Sequence, residues 1–183
     1  MNIHVKPRMT AEEFVAWALE QAEGRYELHD GIVVRMASER ARHAKVKHRV
    51  LREIERAVEA SGLEADCYPD GMSVKTGANK VYEPDAQLRL GPPLDGDVTL
   101  ILDPAVVVEV SSPSTRRTDI LAKLPGYRLI ASLHHVIIVD PESQAVDCHS
   151  RQPDGSFMAR EGSTGEIALV PPGLVLDSHA FWA

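Results

Sequence analysis

The chain has 183 residues, of which 44% are hydrophobic and 26% are charged. This length and balance predict one globular domain over residues 1–183, with enough apolar residues to bury a substantial core. The net charge of -7 excludes a protein that coats nucleic acid through a broadly basic surface. It does not exclude a metal-dependent nuclease, because the site of such an enzyme is itself acidic.

The sequence carries no sign of export or membrane insertion. No apolar run is long enough to span a bilayer, and residues 1–9 contain charges and a proline where a signal peptide has an apolar segment. Cys67 and Cys148 lack the spacing of metal ligands and are too few for a disulfide framework. We therefore expect a cytoplasmic protein.

Turn residues and hydrophobic periodicity predict the elements in chain order. Thr10 followed by Glu13 is typical of a capping box, Asp30-Gly31 favours a hairpin turn, and Ser38 can cap a helix that ends at Gly62. Helices are predicted over 10–22, 39–60 and 115–127, and strands over 25–28, 32–36, 63–68, 72–75, 81–90, 105–110, 135–139, 145–149, 157–160 and 167–170. The last three strands are expected to be short and peripheral. The order predicts an α/β (α+β) fold with a central mixed β-sheet flanked by helices.

The second predicted helix has two faces. Its apolar face contains Val46, Val50, Ile54 and Ala57, and His43 extends that face by one turn, as a core histidine or a supporting site residue. A separate basic stripe follows the same helical rhythm and consists of Arg42, Lys45, Arg49, Arg52 and Arg56. The stripe is either a solvated face or a set of contacts to nucleic-acid phosphates.

Two carboxylates occur where strands are predicted. Asp85 follows Pro84, and Glu109 ends an apolar, β-branched run that is typical of a central strand. The two acids are 109 − 85 = 24 residues apart, which suffices for neighbouring strands to bring them together. A carboxylate at the end of such a strand needs a metal ion or a salt bridge, and both interpretations remain open at this point. Glu27, on an early strand, could be a further acid or an exposed strand residue.

The predicted helix after Glu109 carries Asp119 and Lys123 four residues apart. Such a pair is often no more than a solvated ion pair. However, Tyr127 shares the same face, and the helix follows directly from the strand that carries Glu109. A lysine placed there could reach back over the acids and either activate water or stabilise a phosphate in the transition state.

These segments together resemble the PD-(D/E)XK nuclease superfamily. More closely, they resemble its large bacterial branch of restriction-endonuclease-like proteins, which is classed as a domain of unknown function. The matching segments are YELHDG (26–31), MASERARH (36–43), EPDA (83–86), VVEVSSPST (107–115), DILAKLPGY (119–127) and VIIVDP (136–141). They cover most of the chain in the order of the family.

The resemblance implies a restriction-endonuclease-like core and a set of roles for individual residues. Asp85 and Glu109, with the backbone carbonyl of Val110, would hold Mg²⁺ or Mn²⁺, and Glu27 would be a further acid. The superfamily pattern places its lysine two residues after the second acid, where this chain has Ser111. In this branch the lysine lies on the following helix, which corresponds to Lys123 here. Asp119 would orient Lys123, Tyr127 would pack or form a hydrogen bond nearby, and His43 and Ser111 are further supporting residues.

The sequence therefore predicts a metal-dependent endonuclease that hydrolyses phosphodiester bonds of DNA, with a homodimer as the expected assembly. Arg42, Lys45, Arg49 and Arg52 are the candidate nucleic-acid contacts. Two alternatives remain: a catalytically inactive nuclease fold that binds nucleic acid or regulates, and a structural or interaction homodimer whose acids form a buried ion-pair network. The chain departs from the branch at 132–135 and at Ile137, and the displaced lysine leaves open whether the protein is active.

Overall fold

The computed structural model describes residues 8–111 and 118–183, with side chains from residue 122 onward in the second range. The helices are α1 (Ala11–Leu19), α2 (Ala41–Ser61) and α3 (Thr118–Arg128), and a 3-10 helix covers Ser178–Phe181. The strands are β1 (Tyr26–His29), β2 (Ile32–Arg35), β3 (Ala65–Pro69), β4 (Ser73–Gly77), β5 (Lys80–Tyr82), β6 (Ala86–Leu90), β7 (Leu100–Ile101), β8 (Pro104–Val110), β9 (His135–Asp140), β10 (Ala145–Arg151), β11 (Phe157–Ser163), β12 (Glu166–Leu169) and β13 (Leu174–Asp177).

The strands form two sheets and a separate hairpin. The six-stranded sheet has the order β11-β10-β9-β8-β6-β3, and the five-stranded sheet has the order β2-β1-β5-β4-β7. Strand β8 pairs antiparallel with β6 and parallel with β9, so the six-stranded sheet is mixed, and β12 pairs with β13 in the hairpin. The predicted α+β fold with a mixed sheet flanked by helices is confirmed.

The central strand β8 separates two parts of the core. Because successive side chains of a strand point to opposite faces, Val106 and Val108 pack towards α2 while Val107 packs with residues of α3 and the five-stranded sheet. Glu109 has the same parity as Val107 and so lies on the α3 side. The continuous apolar run is buried throughout, as the sequence predicts.

Several local predictions are confirmed. Thr10 and Glu13 form both hydrogen bonds of the capping box. Asp30 and Gly31 have φ of 49° and 82°, the left-handed values that a tight β1–β2 turn requires. Gly62 ends α2 at a φ of 68°. Each of these features depends on residues that are close in sequence.

One strand was predicted wrongly. Residues 81–90 were expected to form a single strand, but they form β5 and β6, which belong to different sheets. Pro84 lies between them, has no backbone N–H for a sheet, and forces the preceding residue into an extended, non-helical conformation. The break lets the chain cross from one sheet to the other, and Asp85 lies immediately after that crossing.

Other predicted boundaries also need correction. Helix α1 ends at Leu19 instead of Ala22, and α2 begins at Ala41 after Arg40, with no side-chain cap from Ser38. Strand β10 is not peripheral, because it lies between β9 and β11 in the larger sheet. Strands β7 and β13 were not predicted. The predicted start of the third helix, at Thr115, lies outside the described residues.

Across residues 8–111 and 118–183, no helix combines the length and apolar character needed to cross a membrane.

Candidate active site

The register of β6 and β8 brings the two strand carboxylates together. The last paired residues are Ala86 and Val108, and one step further in the same antiparallel register sets Asp85 opposite Glu109. The backbone N–H of Asp85 donates to the carbonyl oxygen of Val108 at 2.9 Å. The N–H of Val110 donates to Asp85 Oδ2 at 2.6 Å. The two acids that the sequence singled out are therefore neighbours at one edge of this ladder.

Lys123 lies between two buried carboxylates. Its Nζ is 2.7 Å from Glu27 Oε1 and 3.1 Å from Glu109 Oε1. Glu27 comes from β1 in the five-stranded sheet, Glu109 from β8 in the six-stranded sheet, and Lys123 from α3. The lysine thus joins three elements at the place where the two sheets meet, and the helical position inferred for it puts it directly against Glu109.

The two glutamates are held by further donors. The hydroxyl of Tyr127, one turn beyond Lys123, donates to Glu109 Oε1 at 2.6 Å. Glu27 Oε1 also accepts from the backbone N–H of Glu83 at 2.9 Å, and Glu27 Oε2 lies 2.8 Å from His29 Nε2. These bonds fix the orientation of both carboxylates in the absence of any ligand.

A second lysine, which the sequence did not single out, binds the other acid. Lys47 Nζ on α2 is 2.7 Å from Asp85 Oδ1, 2.8 Å from Glu39 and 3.2 Å from Asp70. By helical position Lys47 lies on the same side of α2 as His43, Val50 and Ile54, and a charged residue at apolar spacing is the signal that could have singled it out. Asp70 lies between β3 and β4, and its carboxylate also belongs to this network.

The supporting residues lie around the end of β8. His43 Nε2 is 2.7 Å from the carbonyl oxygen of Ser111, which connects the first turn of α2 to the chain after β8. The Ser111 hydroxyl donates to the carbonyl of Val139 at 3.3 Å, and its backbone N–H donates to the same oxygen at 2.8 Å. Ser111 therefore contributes to the sheet on β9. The side chain of Asp119 lies outside the described residues.

A cavity of about 560 Å³ opens over these groups. The predicted site residues that line it are Glu27, Asp85, Glu109, Val110, Lys123, His43 and Ser111. Tyr127 is fully buried beneath it. Of the four candidate nucleic-acid contacts, Arg42 lines the cavity, whereas Lys45, Arg49 and Arg52 do not.

The pKa values of Glu27, Asp85 and Glu109 differ because each carboxylate has different charged neighbours. Burial raises the pKa of Glu109 to about 7; Lys123 opposes this shift, while the charges of Asp85 and Glu27 add to it. Burial alone would also raise the pKa of Glu27, but His29 and Lys123 outweigh it and lower the pKa to about 2. The pKa of Asp85 is raised by burial, against the opposing effect of Lys47. The cluster therefore contains more buried negative charge than its lysines neutralise.

The lysine ammoniums are stabilised by the same acids. Burial would lower the pKa of Lys123, but Glu109 and Glu27 raise it above its ordinary range. The pKa of Lys47 is raised in the same way, mainly by Asp85, against its burial. Both lysines are consequently charged at neutral pH.

Residues 11–178 match the model of the Uma2 family, which is described as "Putative restriction endonuclease". The chain belongs to the Uma2 family. The predicted resemblance to the bacterial restriction-endonuclease-like branch is thereby confirmed.

Two individual proteins are similar to this member of the Uma2 family. One is a Synechocystis protein named "Uncharacterized protein slr1290", 24% identical over 153 residues, which cover 83% of this chain and 79% of that protein. The other is a crystal structure from Anabaena variabilis, described as "a putative nuclease belonging to DUF820", with a TM-score of 0.74 and 15% identity. The match covers 95% of this chain and 97% of that structure. This likeness shows the fold.

The cavity offers some, but not all, of the oxygen ligands that a hard divalent cation such as Mg²⁺ needs. Asp85 and Glu109 supply carboxylate oxygens from paired strands, and Mg²⁺ is bound in proteins by one or two carboxylates while it keeps several waters. Within the described ranges, no three His, Cys, Asp or Glu residues form a group that could hold a metal ion. Each of the three acids is bound by a lysine, so that contact does not rank them. Asp85 and Glu109 are the pair that the β6–β8 register sets side by side, and Val110 lines the same cavity.

Proposed function

We propose that this Uma2-family protein is a divalent-metal-dependent nuclease that hydrolyses phosphodiester bonds of DNA. The observation that carries the proposal is the convergence of Asp85, Glu109 and Lys123 in one cavity, from three elements that are distant in sequence. Two buried acids beside a charged lysine are the parts that phosphodiester hydrolysis with a metal ion needs.

In this proposal, Asp85, Glu109 and the carbonyl of Val110 would hold Mg²⁺ or Mn²⁺. A bound cation of this kind polarises the phosphate and lowers the pKa of an attacking water. Burial, with a smaller contribution from the charges of Asp85 and Glu27, raises the pKa of Glu109 to about 7, and a divalent cation beside these acids would offset that unfavourable burial of negative charge. The backbone N–H of Val110 keeps Asp85 oriented through its Oδ2 atom.

Lys123 would act through its positive charge. Because its pKa is raised, the side chain is an ammonium at neutral pH and does not serve as a general base in this state. It lines the cavity and is already held between Glu27 and Glu109, so little reorganisation is needed for it to stabilise charge that develops on a phosphate oxygen.

Glu27 and Tyr127 would position the other groups. Glu27 has the lowered pKa of a firmly ionised acid and draws Lys123 towards the β1 side of the cavity. The hydroxyl of the fully buried Tyr127 donates to Glu109 from the protein interior, so it does not occupy the side of the carboxylate that faces the cavity. Neither residue needs to touch the substrate for this role.

One alternative has a specific observation in its favour. Lys47 and Lys123 already bind Asp85 and Glu109, so the acids could form a structural ion-pair network in a nuclease fold without catalysis. That alternative predicts no binding of divalent cations at Asp85 and Glu109. Homodimerisation stays a prediction.

The two possibilities are separated by a cleavage assay on plasmid DNA with Mg²⁺ or Mn²⁺, combined with calorimetric titration of Mn²⁺. We expect the wild type to cleave, and Asp85→Asn and Glu109→Gln to lose both cleavage and Mn²⁺ binding while remaining folded by circular dichroism. Asp97→Asn, in an exposed loop away from the cavity, is the matched control and should behave as the wild type. Absence of cleavage by the wild type with any divalent cation would refute the enzymatic proposal.

A further inference from the structure

Three arginines line the cavity that contains Asp85 and Glu109. Arg35 is the last residue of β2, Arg40 immediately precedes α2, and Arg42 lies in the first turn of that helix. All three are exposed and line the same cavity as Glu109 and Lys123. We call these three residues the arginine rim.

The arginines of the rim differ from the two lysines in their partners. Lys47 and Lys123 are engaged with buried carboxylates. Arg35 and Arg40, by contrast, form no ion pair within residues 8–111 and 118–183. Arg42 approaches Glu142 only at 4.0 Å, with 62% of its side chain exposed. The positive charge of the rim is thus available to an anion that enters the cavity.

We propose that the arginine rim binds the backbone phosphates of a nucleic-acid strand on either side of the phosphate that lies over the acids. This inference rests on the proposed function and deepens it. Consecutive phosphates would otherwise be repelled by the acids and by the net charge of -7. Arginine suits this task because its planar guanidinium stays charged and can donate two hydrogen bonds to one phosphate.

The rim replaces most of the predicted basic stripe as the phosphate-binding surface. Lys45, Arg49 and Arg52 do not line the cavity. Arg49 donates to the backbone carbonyl of Trp182 at 3.4 Å, which places it towards the C-terminal end of the chain. A cavity of about 560 Å³ is also within the size range of small-molecule binding pockets, so a nucleotide-sized segment can enter it.

Fluorescence anisotropy with a labelled DNA duplex in EDTA tests the inference without any cleavage. We expect the double variant Arg35→Ala/Arg40→Ala to bind on the order of tenfold more weakly than the wild type. The slope of log affinity against log salt concentration should fall by roughly 1.8, because two phosphate contacts are lost and each contributes about 0.9 on duplex DNA. Arg160→Ala, at an exposed arginine of β11 that does not line this cavity, is the matched control and should bind as the wild type.

The inference is overturned if the double variant binds as the wild type, if Arg160→Ala loses as much affinity, or if the wild type does not bind in EDTA. Its failure can be told apart from failure of the proposed function. Binding that depends on the rim, without cleavage by any divalent cation, supports the rim and refutes the nuclease. Cleavage with an unchanged KM in the double variant supports the nuclease and refutes the rim. Thermal unfolding verifies that the variants are folded.

Discussion

Replacement of Lys123 by methionine tests whether Lys123, Glu27 and Glu109 form a buried cluster of charges that stabilise one another. Methionine keeps most of the length of the side chain but removes the ammonium, which lies 2.7 Å from Glu27 Oε1 and 3.1 Å from Glu109 Oε1. Both carboxylates are buried, with 6% and 5% of their surface exposed. Loss of one partner leaves two buried acids with uncompensated charge.

The structure sets the size of the expected effect. Removal of one member of a buried ion pair costs about 3–5 kcal/mol. Glu27 keeps its bonds to His29 and to the N–H of Glu83, and Glu109 keeps Tyr127. We therefore expect the lower end of that range, about 3 kcal/mol in the free energy of unfolding.

Urea denaturation in EDTA at neutral pH measures the difference. Lys75→Met is the matched control, because Lys75 pairs with Glu12 at the surface and such pairs contribute about 0–1 kcal/mol. The additional change Glu27→Gln should restore part of the stability of Lys123→Met, since it removes one of the unpaired charges. If Lys123→Met costs no more than Lys75→Met, the acids are solvated and the proposed electrostatics are wrong.

Two further predictions concern the frame of the site. Burial alone would raise the pKa of Glu53, but the hydrogen bonds from Arg56 and the N–H of Asp177 lower it below its ordinary value of 4.5. Glu53→Gln should therefore lower the free energy of unfolding by about 1–2 kcal/mol at neutral pH, as measured by urea denaturation. The difference from the wild type should shrink as the pH falls below about 4.5, because protonation of Glu53 removes its stabilising interactions. A difference that stays constant over that pH interval would contradict this. A Cβ at Gly126 would lie 2.8 Å from the side-chain oxygen of Thr76 on β4, so Gly126→Ala should lower the stability by about 1–3 kcal/mol although alanine favours helices. Gly96→Ala is the control, because a Cβ there meets open space and should change the stability little. Equal melting temperatures of the two variants would refute the close approach of α3 to β4.

The prediction of elements succeeded where the signal is local. The capping box at Thr10 and Glu13, the left-handed turn at Asp30-Gly31 and the buried run of β8 depend on residues within one element or turn. Prediction failed at residues 81–90, because their alternation does not tell which sheet a residue joins. The split into β5 and β6 depends on partner strands that are far away in sequence.

For the candidate site, too, the sequence revealed local signals but not long-range contacts. Asp85, Glu109 and Lys123 could be named from an apolar strand that ends in an acid, a nearby Pro-Asp pair and a helical lysine, with the family resemblance as a guide. The roles of Lys47 and His29 were not predicted: Lys47 lies outside the matching segments, and the resemblance implied no role for His29, which lies within YELHDG. The role of Lys47 is recognised only by its contact with Asp85, which lies 85 − 47 = 38 residues away.

The sequence by itself identified Asp85, Glu109 and Lys123 as candidates and predicted the secondary structure around most of them, because propensity, capping and periodicity act over a few residues. Only the tertiary structure decided which charges meet. The register of β6 on β8 sets Asp85 beside Glu109, and the packing of α3 between the sheets sets Lys123 against Glu27. These distances result from long-range strand pairing and burial, which one helix or strand cannot specify alone.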